Sequence, residues 1–128
     1  RRGCLIQMTT AKRLPRPPLL DPIAWRTVWV FAMFDLPVET AAHRRAYTRF
    51  RKDLLEDGFA MMQFSVYFRH CASRDSGEAH IRRMGASVPA EGEVRFMMVT
   101  DAQFARVQVF AGKRRKSPEM PPAQLEFF

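Results

Sequence analysis

Asp35 ends an uncharged run, Thr27-Val28-Trp29-Val30-Phe31-Ala32-Met33-Phe34, and is followed by Leu36-Pro37. A carboxylate delivered to a strand end is a hard oxygen ligand of the kind Mg²⁺ takes, and a bound Mg²⁺ assists phosphodiester hydrolysis. One carboxylate per chain is a marginal ligand set. A two-fold dimer that brought two copies of Asp35 together would double it and would also present two equivalent basic surfaces to a duplex. The plainer reading is that Asp35 only begins a turn. On the residues alone both readings stay open.

Other chemistries find less support. His43, His70 and His80 show no HExxH or other close ligand spacing, and Cys4 and Cys71 form no CxxC pair, which argues against a transition-metal site. The sequence has no GxxxxGK[ST], GxGxxG or GxSxG, disfavouring nucleotide hydrolysis and serine-hydrolase chemistry. His70 and Cys71 are neighbours, but adjacent side chains on a strand point to opposite faces, so they make a poor nucleophile pair.

The charge balance points outward. Lys and Arg number 21 against 13 Asp and Glu, a net charge of +8, which favours a polyanionic partner without naming it. No apolar stretch approaches the roughly 20 residues that cross a bilayer, so no membrane association is expected. The scarce cysteines fit a reducing cytoplasm. The first eight residues make a poor signal peptide, and Met8 is the expected native start.

The elements that must position these groups follow from periodicity. The run ending at Asp35 is β-branched and aromatic, as a sheet-core strand should be. Thr40 can cap a helix over 41–57 that Gly58 closes, with Tyr47, Phe50 and Leu54 toward a core and Arg45, Arg49 and Lys52 on another face. Residues 59–70 read as two short strands joined irregularly near Gln63 and Ser65. Ser73 can cap a second helix over 74–87, which Gly77 and Gly85 weaken. Strands are expected at 94–100 and 104–111, separated by a polar break at 101–103 and closed by Gly112. Before the domain, residues 1–25 read as an extended or disordered basic, Pro-rich arm, and after it residues 113–128 read as a basic tail. That tail opens on Lys113-Arg114-Arg115-Lys116 and ends on an apolar docking strand with Leu125, Phe127 and Phe128.

The order strand, helix, two strands, helix, strand predicts an α+β sandwich of ferredoxin-like βαββαβ type. A surplus C-terminal strand suggests exchange between subunits of a homodimer. Arg44, Arg45, Arg49, Lys52 and the cluster Lys113, Arg114, Arg115 and Lys116 are the candidate contacts to nucleic-acid phosphates.

An ordered set of residues carries a resemblance. Phe34-Asp35-Leu36-Pro37, Glu39-Thr40, Arg44-Arg45-Ala46-Tyr47, Phe50-Arg51-Lys52, Gly58-Phe59 and Gln63-Phe64-Ser65-Val66-Tyr67, with Val99-Thr100 and Gln103-Phe104 later, resemble the CRISPR-associated Cas-two family. The closest flavour accompanies type II systems, and the likeness spans about residues 26–112. It implies a homodimer whose final strand joins the partner's sheet. It also implies a scaffold that bridges dimers of the integrase subunit, Cas-one, around the double-stranded DNA of an incoming spacer. Asp35 then matches a strand-end Asp proposed to hold Mg²⁺ across the dimer axis in members reported as nucleases. Strand transfer itself belongs to the integrase, so the resemblance favours a scaffold. An Mg²⁺-dependent endonuclease using Asp35 as catalytic and metal residue is the alternative, and a toxin-like endoribonuclease a further one. The arm at 1–25 lies outside the pattern, and Tyr67 stands where many members have Phe.

Overall fold

The computed structural model describes residues 26–121. The arm at 1–25 and the proposed docking residues Leu125, Phe127 and Phe128 lie outside the described residues. The first elements are β1 (Val28–Asp35), α1 (Ala41–Glu56), β2 (Ala60–Gln63) and β3 (Val66–Cys71). They are followed by α2 (Arg74–Gly85), β4 (Glu93–Thr100), a short α3 (Asp101–Phe104), β5 (Val109–Ala111) and β6 (Arg114–Lys116). The main sheet is antiparallel in the order β2-β3-β1-β4, which is the ferredoxin-like βαββαβ arrangement expected.

Strand alternation divides β1 between two environments. Val28, Val30, Ala32 and Phe34 point into the core beneath the helices, where Phe50 and Leu54 of α1 and Met84 of α2 meet them. Trp29 and Phe31 point to the other face, which among the described residues carries no long helix and is covered only by Phe104 with part of β2, β3 and β4. Both helices therefore lie on one side of the sheet. The second face is left half open, with Met97 exposed and Met33 and Phe68 only partly covered.

The helix ends follow their sequence signals. The Thr40 hydroxyl accepts from the His43 amide and the Ser73 hydroxyl from the Ser76 amide, each satisfying an orphan donor of the first turn. Gly58, just past α1, takes a φ of 98°, a left-handed value that a side chain would resist. Gly77 weakens α2 less than its helix propensity suggests, because it lies buried where α2 comes closest to Val28 and Val30 of the sheet. The irregular join at 59–70 is a hairpin with a register shift between Met61 and Gln63 and a positive φ at Ser65.

Two expectations at the C-terminal side are corrected. No single strand covers 104–111: the polar break at 101–103 is the start of α3, held by a capping box between Thr100 and Gln103 and by burial of Ala102 and Phe104. Strand structure resumes only at β5, because Phe104 is drawn onto the sheet face instead, its ring stacked on Trp29 at 4.4 Å. The basic cluster is likewise not the opening of a tail. Arg114, Arg115 and Lys116 form β6, which pairs with β5 across a turn where Gly112 has a φ of 68°. Within the described residues β5 pairs only with β6 and not with the main sheet.

Candidate functional site

Asp35 is the last residue of β1 and is exposed. It follows Trp29, Phe31 and Met33 in the alternation and so lies on the half-open face, away from the helices. Its register partner in β4 is Glu93, whose carboxylate is held by Arg95 at 3.2 Å. On its other side, the Phe34 amide donates to the Ser65 carbonyl at 3.0 Å, which places the β2–β3 hairpin tip beside the same strand end. Phe64 at that tip is 87% exposed. Gly92 packs so closely on the backbone of Asp35 that a Cβ there would fall 2.9 Å from its carbonyl oxygen.

The Asp35 carboxylate makes no hydrogen bond or ion pair with any described residue. The backbone bond that a turn-starting Asp ordinarily accepts from two residues on has no donor here, because that residue is Pro37. The chain after β1 is instead tied down by Arg44, whose Nη1 donates to the carbonyls of Val38 at 3.0 Å and Glu39 at 3.3 Å. Asp35 is thus an unengaged oxygen ligand on an accessible edge, a donor suited to a hard cation. Among the described residues no three His, Cys, Asp or Glu side chains gather as a metal-binding group, so one chain supplies only part of a ligand set.

The basic candidates separate by their surroundings. Arg45 and Arg49 are exposed one turn apart on α1 and have no described partner, whereas Lys52 sits 4.0 Å from Glu56. Arg44 spends hydrogen-bonding capacity on the loop before its own helix. Arg51, which shares that helix, donates from Nε to the Tyr67 hydroxyl at 2.7 Å and so braces a buried ring. In the hairpin, Lys113, Arg114 and Lys116 are exposed and unpaired among the described residues, and the Arg115 guanidinium lies 6.0 Å from the Phe110 ring centroid. The structure does not join the α1 row, the hairpin cations and Asp35 into one cluster within a single chain.

Sequence reasoning missed the polar centre at Asp101, as it did the one where Asp57 meets His80 and Arg83. Asp101 accepts from Thr27 Oγ1 at 2.8 Å and from Trp29 Nε1 at 2.5 Å, and its other neighbour is His70 Nε2 at 3.4 Å. It fastens α3 to the far end of the open face. The only sequence signal was the pair Thr100-Asp101 followed by Gln103, a cap that looked like a loop.

Residues 28–107 match the family model described as CRISPR associated protein Cas2. The chain belongs to this family. Several curated relatives are each named CRISPR-associated endoribonuclease Cas2. One from Parvibaculum lavamentivorans is 60% identical over 101 residues, covering 79% of this chain and 100% of that protein. One from Flavobacterium psychrophilum is 44% identical over 104 residues, covering 81% and 90%. A third, from Paracidovorax avenae, is 41% identical over 104 residues, covering 81% and 96%. The Cas2 match begins at Val28 and so includes the whole of β1 with Asp35, and it ends at Val107, before the β5–β6 hairpin. No helix of the described residues is long and apolar enough to cross a membrane.

Proposed function

We propose that this Cas2-family chain is a homodimeric scaffold of CRISPR adaptation that bridges dimers of the integrase subunit and binds the duplex DNA of the incoming spacer. The observation that carries the reading is the unpartnered pair Arg45 and Arg49 on the exposed face of α1. Cations left without carboxylate partners are available to phosphates and recognise charge without reading sequence. The half-open sheet face supports the dimer, because it leaves Met97 and part of Phe68 uncovered beside Trp29 and Phe31. Asp35 shares that face, so a two-fold axis through it would bring two carboxylates toward each other.

The test is duplex binding across ionic strength. Affinity should fall steeply with salt, and removing Arg45 and Arg49 together, four side chains in the dimer, should lower the slope of log affinity against log salt by up to about four. Salt-independent binding would remove the assignment. Co-purification with the integrase subunit, with and without residues 124–128, tests the bridging partner and the apolar terminal segment together.

A second reading is favoured by the free Asp35 carboxylate and by the endoribonuclease names of the relatives. Here Asp35 of each protomer holds a shared Mg²⁺, and the cation supplies Lewis-acid stabilisation of a phosphodiester. Glu93 stands opposite Asp35 in register, with its carboxylate held by Arg95. Wild type and Asp35→Asn should then differ in Mg²⁺-dependent cleavage after rigorous purification. Equal residual activity in both points to a contaminant and ends this reading.

A further inference from the structure

A small open pocket of about 250 Å³ adjoins the strand end that carries Asp35. It is lined by Leu36 and Pro37, the two residues after Asp35, by Tyr47 of α1 and by Pro89 in the loop before β4, with alanines between them. Two polar side chains, His43 and Glu91, also line it. His43 Nε2 lies 2.5 Å from Glu91 Oε1, and because a carboxylate only accepts, Nε2 carries the hydrogen. That ring placement has a cost. His43 Nδ1 is buried with no hydrogen-bond partner, the Glu39 carboxylate being 3.6 Å away. Buried polar atoms are ordinarily satisfied, so a ring that leaves one orphaned in order to hold Glu91 marks the carboxylate as a group whose position matters.

We infer that this pocket seats an unpaired guanine, with Glu91 as the residue that reads it and His43 as the positioning residue that holds Glu91. The inference rests on the ribonuclease reading above and names the substrate feature that such an enzyme would select. The volume falls just below that of drug-sized ligand sites, so the occupant is a group of one or two rings. Unpaired bases are recognised by contact with aromatic and apolar side chains and by hydrogen bonds on their Watson–Crick edge. Tyr47 and the two prolines supply the apolar contact. Glu91 Oε2 has no described partner, and Oε1 keeps a second lone pair beyond the one facing His43, so the carboxylate can accept two parallel N–H bonds. Guanine offers two such donors side by side, at N1 and the 2-amino group. Uracil offers one, N3–H, between two carbonyl oxygens that a carboxylate repels. With Glu91 in the pocket and Glu39 beside His43, a phosphate is unwelcome inside. It belongs instead toward the exposed Arg44 and Arg45, which follow His43 on α1. The same two arginines disfavour a basic peptide side chain, the other kind of group that an apolar pocket with a carboxylate would take. Gly92, next to Glu91, packs on the Asp35 carbonyl, which ties the base-reading loop to the strand end of the free carboxylate.

Amide spectra of the full chain are titrated with GMP, UMP, ribose 5-phosphate and acetylarginine amide at matched ionic strength. Saturable shifts at Ala42, Ala46 and Glu91, with GMP about tenfold or more tighter than UMP, support the site. Glu91→Gln should remove most of that preference, since an amide in place of the carboxylate presents a donor to the guanine N–H groups. Ala42→Leu, an exposed helical substitution that fills the pocket from one side, should abolish the shifts while circular dichroism stays unchanged. Equal affinity for GMP, UMP and ribose 5-phosphate reduces the effect to phosphate contact and overturns the base assignment. Acetylarginine amide binding more tightly than GMP makes this a peptide site and overturns it too, as does the absence of saturable shifts. Mapping cuts in a single-stranded RNA separates this inference from the reading beneath it. If GMP binds and no RNA is cleaved, the ribonuclease reading fails and the guanine site stands. If RNA is cleaved through Asp35 and GMP does not bind, the site fails and the ribonuclease reading stands. If both hold, cuts should cluster at unpaired guanines in wild type and scatter in Ala42→Leu, and an unchanged cut pattern in that variant overturns the site's role in substrate choice.

Discussion

Asp35 stands directly opposite Glu93 in the β1–β4 ladder, so two carboxylates share one end of the open sheet face. Like charges facing across an antiparallel pair are destabilising, by an amount comparable to the gain from a matched pair. Glu93 has Arg95 to answer it, at 71% exposure of the arginine, whereas Asp35 has no described partner. Asp35→Asn should therefore stabilise the fold by about 0.2–1 kcal/mol, most clearly at low salt. Urea denaturation of the two proteins decides it. A loss of stability instead would show that the carboxylate anchors the turn after β1.

The two glycines of α2 should respond in opposite directions. A Cβ on Gly77 would meet Met98 Sδ at 3.1 Å and the Cγ2 atoms of Val28 and Val30 at 3.2 Å. Both valines are buried and β-branched, so they have little room to give way. Gly77→Ala should lose about 1 kcal/mol despite alanine's better helix propensity, since overpacking typically costs about 1–3 kcal/mol. At Gly85 nothing lies within 4 Å of the same atom. Gly85→Ala should gain up to about 0.5–1 kcal/mol. Chemical denaturation midpoints of the pair give the sign of each.

Much of this arrangement was legible in the chain, and what was not has local causes. β1 and both long helices announce themselves through period and caps: Thr40 and Ser73 do in space what their residue types suggest. The segment after β4 misleads because Phe-Ala-Arg-Val-Gln-Val-Phe-Ala alternates like one strand. Burial of Phe104 against Trp29, a contact 75 residues away, overrides that local pattern and bends the chain into α3. For the candidate site, the position of Asp35 at a strand end could be read directly. Its face could not, because only the pairing of β1 with both helices shows which alternate side chains are left uncovered.

The uncovered face predicts self-association. Phe31 and Trp29 are nearly buried there, but Met97 remains 44% exposed beside them. Met97→Arg should place charge in the centre of a face-to-face dimer and shift it to monomer, while the solvent-facing position leaves the monomer fold intact. Light scattering coupled to size exclusion, with circular dichroism for the fold, reads both. A wild type that is monomeric at tens of micromolar would remove the dimer from the proposal.

Asp101 should prove a structural hinge-pin for α3. Its carboxylate is 13% exposed and answers the Trp29 indole and the Thr27 hydroxyl. Asp101→Ala leaves the indole N–H without its acceptor, a loss of about 1–3 kcal/mol. Asp101→Asn keeps an acceptor oxygen and should recover part of that. Thermal unfolding of the three proteins ranks them, and an Asn variant as weak as the Ala variant would place the energy in the charge.

Cys71 gives the fold a dependence on alkaline pH. Burial pushes its thiol up from the ordinary value, outweighing the opposing influence of the nearby Arg69 cation. Below about pH 8.5 the thiol keeps its proton in both states and contributes no slope. Above that pH the unfolded chain releases the proton while the folded chain retains it, so the folded state binds more protons and stability falls as pH rises. The stability is thus fully present below the unfolded pKa and lost progressively as pH climbs from there toward the raised folded value. Urea midpoints at pH 7.5 and 9.5 should drop further for wild type than for Cys71→Val, which keeps an apolar side chain of similar size at this 3% exposed position. Cys4 is common to both proteins and cancels in the difference. Identical drops would mean that the buried thiol is not the group responsible.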